Sequence, residues 1–211
     1  MTEPLLVMHQ ASFLENGRTV HAVDVAVHAG DFVVVTGPES SGKTLLLRGA
    51  LGLIAPHRGR VLLFGVDPAK DHHDAVTDAR GRVAFASDKA PLLANMTLRD
   101  NLAVPLLMRS LSIDVVRASV DEMIDHFELR PFSDRRPHEI TSRAHRAALL
   151  ARAMLQPVDF LILDEPLQDA LTDHALRVRH MAGAALLIAA QDAGRFPNAT
   201  RTVALPPPDP R

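Results

Sequence analysis

Gly37, Gly42, Lys43 and Thr44 stand in the spacing G-x-x-x-x-G-K-T, with Pro38, Glu39, Ser40 and Ser41 between the glycines. That spacing suits a chain that must wrap a polyphosphate. Two glycines let the loop fold into a concave nest whose backbone N–H groups face a pyrophosphate, and a helix opening at about Lys43 adds the positive end of its dipole. Lys43 supplies a mobile point charge for the terminal phosphates, and the Thr44 hydroxyl is placed to ligate Mg²⁺. A second set of groups comes late in the chain, where Phe160-Leu161-Ile162-Leu163 runs into Asp164, Glu165 and Pro166. Four apolar residues ending in two carboxylates have the form of a buried strand that delivers acids to its carboxyl end, the edge at which open α/β sheets bind ligands. Asp164 suits the Mg²⁺ shell. Glu165, one residue further on and turned toward the terminal phosphate, suits orienting or deprotonating an attacking water.

Those groups need a sheet to hold them. Short apolar runs at 32–35, 61–64, 83–86, 160–163, 185–189 and 202–205 alternate with helical patterns, which signals an α/β fold with parallel strands. Between Thr97 and Leu155 the strand signal stops. There Val116, Val120, Met123, Ile124 and Phe127 recur at three- and four-residue spacing on one helical face, the mark of a stripe turned to a core. Thr97-Leu98-Arg99-Asp100 reads as a capping pattern that opens a helix, Pro105 limits or kinks it, and a second helix starts near Ser112. The proline-rich end from Leu205 to Arg211 cannot continue a helix or a central strand and reads as a tail.

Composition narrows the partners. With 211 residues, 47% of them hydrophobic and 23% charged, the chain is long enough for one domain with a subdomain inserted. A net charge of −2 gives no basic footprint for nucleic acid. The absence of cysteine excludes disulfides, thiolate metal sites and cysteine nucleophiles, and fits a reducing cytosol. No run approaches the 18 or so apolar residues a membrane span needs, so membrane association is expected only through a partner. The histidine pairs His72-His73 and His174 with His180 lie in polar surroundings and read as solvated rather than metal-binding.

Taken with further stretches, these motifs give the chain a resemblance over nearly its whole length to the ATP-binding subunits of ATP-binding-cassette (ABC) transporters. Gly52-Leu53-Ile54-Ala55-Pro56, then Gly59-Arg60-Val61 and Gly65-Val66-Asp67, are similar to the family's text after the first helix. The stretch 91–102 resembles the start of its helical subdomain, and Ala151-Arg152-Ala153-Met154 before Pro157 resembles the helix ahead of the acidic strand. The resemblance implies a P-loop NTPase (RecA-like) core with a parallel sheet, an N-terminal antiparallel β portion and an inserted α-helical subdomain. It implies a nucleotide-binding core over 1–90 and 156–205, a helical subdomain over 91–155 and a disordered tail over 206–211. It also implies Mg-ATP as ligand, a transmembrane permease and a second cassette as partners, and a cytoplasmic place at the inner face of the membrane.

Four of the family's catalytic elements are altered. Where the family has a Gln that contacts Mg²⁺ and the attacking water, Asp88 stands, and a carboxylate cannot offer the amide's N–H. The signature L-S-G-G-Q aligns with Ile140-Thr141-Ser142-Arg143-Ala144. Side chains thus replace the glycines where backbone must approach phosphate. Arg143 has two readings, a guanidinium for the opposing phosphate or a solvated charge at a helix start, of which the second is preferred. The family's histidine after the last core strand is matched by Gln191, which can hydrogen-bond but carries no charge. The Asp of the dimer seam has only Asp169 as a counterpart, out of register. Phe13 is the one candidate for stacking on adenine, with a core role as the alternative. Intact loop and acids with an impaired remainder imply retained ATP binding with slow hydrolysis. The other reading is a degenerate module that binds ATP and leaves turnover to an intact partner cassette.

Overall fold

A computed structural model of the chain describes residues 3–15, 18–87, 91–109, 111–156, 158–166 and 169–207. In chain order the first elements are β1 (Leu6–Glu15), β2 (Arg18–Val27), β3 (Phe32–Thr36), α1 (Lys43–Ala50), β4 (Arg58–Leu63), α2 (His73–Gly81) and β5 (Val83–Ser87). There follow α3 (Leu98–Leu107), α4 (Ile113–His126), α5 (Ser142–Met154), β6 (Phe160–Asp164), α6 (Ala170–Met181), β7 (Ala185–Ala190) and β8 (Arg201–Ala204). The chain divides into two compact units. The first takes Met1–Val83, Val158–Glu165 and His180–Arg211, and the second Ala84–Pro157 and Pro166–Arg179.

In the first unit the strands β3, β6 and β7 are apolar on both faces, and every residue of β6 and β7 is buried. Strands of that kind belong inside a parallel sheet covered on both sides. Their order is β6-β7-β3-β8. The register sets Asp164 beside Ala189 and Ala189 beside Val35, so the carboxyl ends of β6, β7 and β3 finish in one row. The short strand β8 pairs with β3 on the other side and is mostly exposed, as an edge is.

The second sheet of this unit is antiparallel, ordered β2-β1-β4. In β1 the inward residues are Leu6 and Met8, then Ala11 and Phe13. The step from even to odd positions follows the register shift between Met8 and Ala11, where Gln10 has φ 46°. One extra residue in the strand reverses which side chains face inward. The run at 61–64 belongs here and not with the parallel strands: β4 pairs antiparallel with β1, Val61 beside Met8 and Leu63 beside Leu6. A four-residue apolar run does not say which sheet it joins. Only the exposed, charged residues Arg58 and Arg60 ahead of it mark a strand with one wet face. The helix α1 packs against strands of both sheets, and Leu45, Leu46, Leu47, Gly49 and Ala50 are buried in it.

The second unit is built mainly from α3, α4 and α5. Thr97 caps α3 by accepting from the Asp100 N–H at 3.1 Å, and the helix runs through Pro105 to Leu107. Ser112 caps α4, whose Val116, Val120 and Ile124 are buried together with Phe127, while Met123 is only partly covered. Asn101, fully buried, ties the segment before α3 to that helix. Its Oδ1 accepts from the Leu93 N–H at 2.6 Å, and its amide donates to the carbonyls of Leu93 at 3.1 Å and Thr97 at 2.9 Å.

The tail expected from Leu205 onward begins later. Leu205 is buried, and its N–H donates to the Thr36 carbonyl at 2.7 Å. The prolines, which lack that donor, start only at 206.

Candidate functional site

The loop 37–44 leaves β3 at the carboxyl edge of the parallel sheet and returns as α1. Gly42 precedes the helix with φ 91° and ψ 14°, a left-handed conformation that costs any other L-residue about 1–2 kcal/mol. A Cβ at this position would also collide with the Val20 side chain. Gly37 is confined from the other side, because a Cβ there would lie 2.5 Å from Ser41 Oγ and 3.0 Å from the Leu205 carbonyl. The first glycine is thus required by close packing and the second by packing and backbone conformation together. Inside the loop the Ser41 N–H donates to the Pro38 carbonyl at 3.2 Å, and Ser40 takes φ 64°. Pro38, Glu39 and Ser40 are exposed, Ser41, Gly42 and Lys43 are buried, and Gly37 and Thr44 lie between.

Lys43 turns its ammonium back into the loop. Nζ donates to the carbonyls of Gly37 at 2.9 Å and Pro38 at 3.1 Å, and lies 3.6 Å from Glu165 Oε1. Its side chain is 6% exposed and that of Glu165 is 44% exposed, so the carboxylate forms the wet side of a contact whose other side is dry. Glu165 follows the end of β6, takes φ 49°, and anchors its N–H to the Ala189 carbonyl at 2.9 Å. Two non-glycine residues, Ser40 within the loop and Glu165 beside the Lys43 cation, lie in the left-handed region. Backbone strain of this kind persists where surrounding structure holds it in place, and it concentrates at functional sites. Asp164, the last residue of β6, is buried to 9% exposure. Adjacent strands lie about 4.8 Å apart, so the row Asp164, Ala189, Val35 spans roughly 10 Å.

These residues fit a magnesium-bound triphosphate. The Ser41 hydroxyl is buried and makes no hydrogen bond among the described residues. A Cβ at either glycine would strike the side chains and backbone packed around the loop, and the Lys43 ammonium from the start of α1 meets the Glu165 carboxylate from the end of β6. Gln191 stands exposed, one residue past β7, at the same sheet edge. Asp88 lies outside the described residues. Val20 and Leu205 were not legible as loop-supporting residues; the one signal for Val20 is its place on the inward face of β2, opposite Phe13. Phe13 itself is fully buried in the core.

In the second unit Thr141 caps α5, accepting from the Ala144 N–H at 3.2 Å. Arg143 in the first turn donates through Nη2 to Asp169 Oδ2 at 3.1 Å, and its side chain is 57% exposed. It is a half-solvated charge with a specific partner. Asp169 gives its other oxygen to the Thr172 N–H at 2.9 Å. Burial alone would raise its carboxyl, but the Thr172 N–H and the Arg143 cation hold it below the ordinary value. Among the described residues no group of three or more His, Asp or Glu side chains is placed to hold a metal ion.

Comparison with known proteins bears on this arrangement. The sequence model of one family, described as ABC transporter, matches residues 20–168. A spermidine/putrescine import ATP-binding protein of Chromobacterium violaceum is 35% identical over 148 residues, which is 70% of this chain and 40% of that protein. A sulfate/thiosulfate import ATP-binding protein of Synechococcus elongatus is 34% identical over 149 residues, 71% of this chain and 42% of that protein. The chain thus matches over about 40% of the length of these relatives. Among solved structures, a dimeric ATP-binding cassette in a post-hydrolysis state bound to ADP and Pi superposes with a TM-score of 0.83. That alignment covers 95% of this chain and 94% of the other at 19% identity, a likeness of fold.

Proposed function

Because this chain belongs to the ABC transporter family, we propose that it is the ATP-binding subunit of a transporter, and that ATP binding and hydrolysis at its loop 37–44 drive a membrane permease. The observation that carries this reading is the Lys43 ammonium, buried between two loop carbonyls and 3.6 Å from the Glu165 carboxylate. A cation held by carbonyl dipoles at the mouth of a nest of backbone N–H groups is poised to move to a phosphate oxygen.

In this reading the backbone from Gly37 to Thr44 cradles the phosphates, and Pro38, Glu39, Ser40 and Ser41 form the wall of the cradle. Lys43 neutralises the terminal phosphates. The Thr44 hydroxyl and Asp164 would hold Mg²⁺, which would supply positive charge to offset that on the phosphates. Glu165 orients and deprotonates the attacking water, Gln191 serves the terminal phosphate, and Asp88, outside the described residues, is assigned to the same task from the sequence alone. The nucleotide-binding core is taken as residues 1–90 and 156–205, and residues 91–155, which lie in the second compact unit, as the helical subdomain through which a permease is moved.

Hydrolysis is proposed to be slow. Removing one preorganised transition-state donor costs about 10²–10³ in rate. Asp88 and Gln191 replace two such groups, and Arg143 stands where a second cassette would need bare backbone. The two named relatives are called import ATP-binding proteins. We extend from them to this chain the expectation of a permease and a second cassette as partners, and a place on the cytoplasmic face of the membrane. Among the described residues no helix is long and apolar enough to cross a membrane.

One observation favours a second reading, a non-hydrolysing module that pairs with an intact cassette: Arg143 at the start of α5 is already engaged by Asp169. A thermal-shift titration with Mg-ATP, run beside a phosphate-release assay on wild type and Glu165→Gln, separates the two. The first reading expects an ATP-dependent shift in both proteins and phosphate release that disappears in the variant. A shift without release in either protein supports the second, and no shift at saturating ATP removes both.

A further inference from the structure

The helix that carries Lys43 begins without a side-chain cap. Thr97, Ser112 and Thr141 each accept a backbone N–H at the start of α3, α4 and α5, whereas α1 opens on Gly42, which has no side chain to do so. A start of that kind keeps backbone N–H groups available to an anion, but glycine is also the residue least able to hold its own backbone in one conformation. The φ of 91° at Gly42 must therefore be held from outside the loop.

The hairpin β1–β2 supplies the hold. A Cβ at Gly42 would collide with Val20 Cγ2 and lie 3.6 Å from the Thr19 carbonyl, so a Val20 methyl fills the space beside the glycine. Val20 is 2% exposed and stands opposite Phe13, which is fully buried. The Phe13 ring abuts Gly49 of α1 in the same way. Gly42 and Gly49 are separated by about two helical turns and so share one face of α1. One cross-strand pair thus seats against that face at two points, which opposes both sliding and rolling of the helix.

Resting on the proposed reading of the loop as a triphosphate site, we infer that Val20 is a positioning residue of that site, holding Gly42 and thereby the first N–H groups of α1 and the Lys43 side chain in the form that receives phosphate. Lys43 follows Gly42 directly, and its Nζ reaches back to the carbonyls of Gly37 at 2.9 Å and Pro38 at 3.1 Å. A turn of the Gly42 dihedrals would swing the N–H groups and the ammonium together. Val20 acts through Gly42 and not on the ligand, because it is buried beneath the glycine. Val20→Ala removes both methyls and frees Gly42 to turn. A loop that then holds its binding form about a tenth of the time raises the apparent dissociation constant about tenfold.

The test is a calorimetric titration of the full chain with Mg-ATP on wild type, Val20→Ala, Val20→Thr and Val25→Ala, at a temperature where circular dichroism shows each to be folded. Val25 is the control: it is 3% exposed on the same strand, opposite Met8, and the atoms nearest a Cβ at Gly37 or Gly42 belong to other residues. Val20→Thr keeps the branched shape against Gly42 while burying a hydroxyl, which lowers stability. Val20→Ala is expected to bind about tenfold more weakly, whereas Val20→Thr and Val25→Ala melt lower yet stay within about twofold of wild type. A merely structural role would lower the melting temperature of all three and leave the affinity of the folded protein alone. Val20→Ala within about twofold of wild type, or no weaker than Val25→Ala, overturns the inference. If Val20→Ala does not fold, Phe13→Leu, which loosens the support beside Val20, carries the same expectation and the same refutation. A different failure is recognisable: wild type that binds no Mg-ATP removes the triphosphate reading of the loop, and this inference with it.

Discussion

Replacing Lys43 by Met keeps an unbranched buried side chain, one atom shorter, and removes its charge and its donors to the loop carbonyls, which makes it the sharpest probe of the loop. At an effective dielectric near 20, two unit charges 4 Å apart attract by about 4 kcal/mol. Part of that is offset because the ammonium must leave the carbonyls of Gly37 and Pro38 and the Glu165 carboxylate. A net loss of about 2–3 kcal/mol in nucleotide affinity remains, or roughly 30- to 140-fold at 1.4 kcal/mol per decade.

At a hundred times its dissociation constant, ATP stabilises the wild-type fold by about 2.7 kcal/mol. For a chain of this length that is roughly 5–11 °C. At the same ATP concentration the variant should gain only about 0.3–0.9 kcal/mol, roughly 1–4 °C. Without nucleotide the variant should melt lower, since two loop carbonyls lose their charged donor and a bond to a charged group is worth about 1.5–3 kcal/mol. Differential scanning fluorimetry with and without Mg-ATP reads both effects. A well-folded Lys43→Met protein that keeps the full wild-type shift would refute the electrostatic account of the loop.

Gly42→Ala places a Cβ against Val20 at φ 91°, so it should cost at least about 1–2 kcal/mol and reduce the ATP shift. Adding Val20→Ala should recover the steric part alone, which a double-mutant cycle in chemical denaturation measures. Asn101→Asp should destabilise the fold by about 3 kcal/mol or more, because a carboxylate has no proton for the carbonyls of Leu93 and Thr97 at a fully buried position; urea melts check this. Asp169 has a folded carboxyl below its ordinary 3.8, so its contribution is complete above that value and is lost as pH falls through the lower folded one. Asp169→Asn should therefore melt below wild type at neutral pH, with the gap narrowing once pH falls below the ordinary 3.8.

Much of the site was legible before any coordinates. The G-x-x-x-x-G-K-T spacing and the acidic end of the run 160–165 depend on local geometry, a tight loop opening a helix and a strand ending in acids, and local geometry is what spacing encodes. The caps at Thr97 and Ser112 were legible for the same reason, each side chain bonding a backbone N–H three residues on. The run at 61–64 went to the wrong sheet because four apolar residues look alike in either. Leu205 was given to a tail because its partner, Thr36, is far away in the sequence.

The sequence by itself determined which groups are proposed to meet phosphate: the residue types and their spacing decide the charge, the donors and the bare backbone. Only the tertiary structure decided that Lys43 and Glu165, 122 positions apart in the chain, come within 3.6 Å. It alone decided that Phe13 is buried in the core against Gly49. Spacing fixes what lies within a turn or two of the backbone. The order of strands in a sheet fixes what lies beside what, and that order is settled by long-range burial.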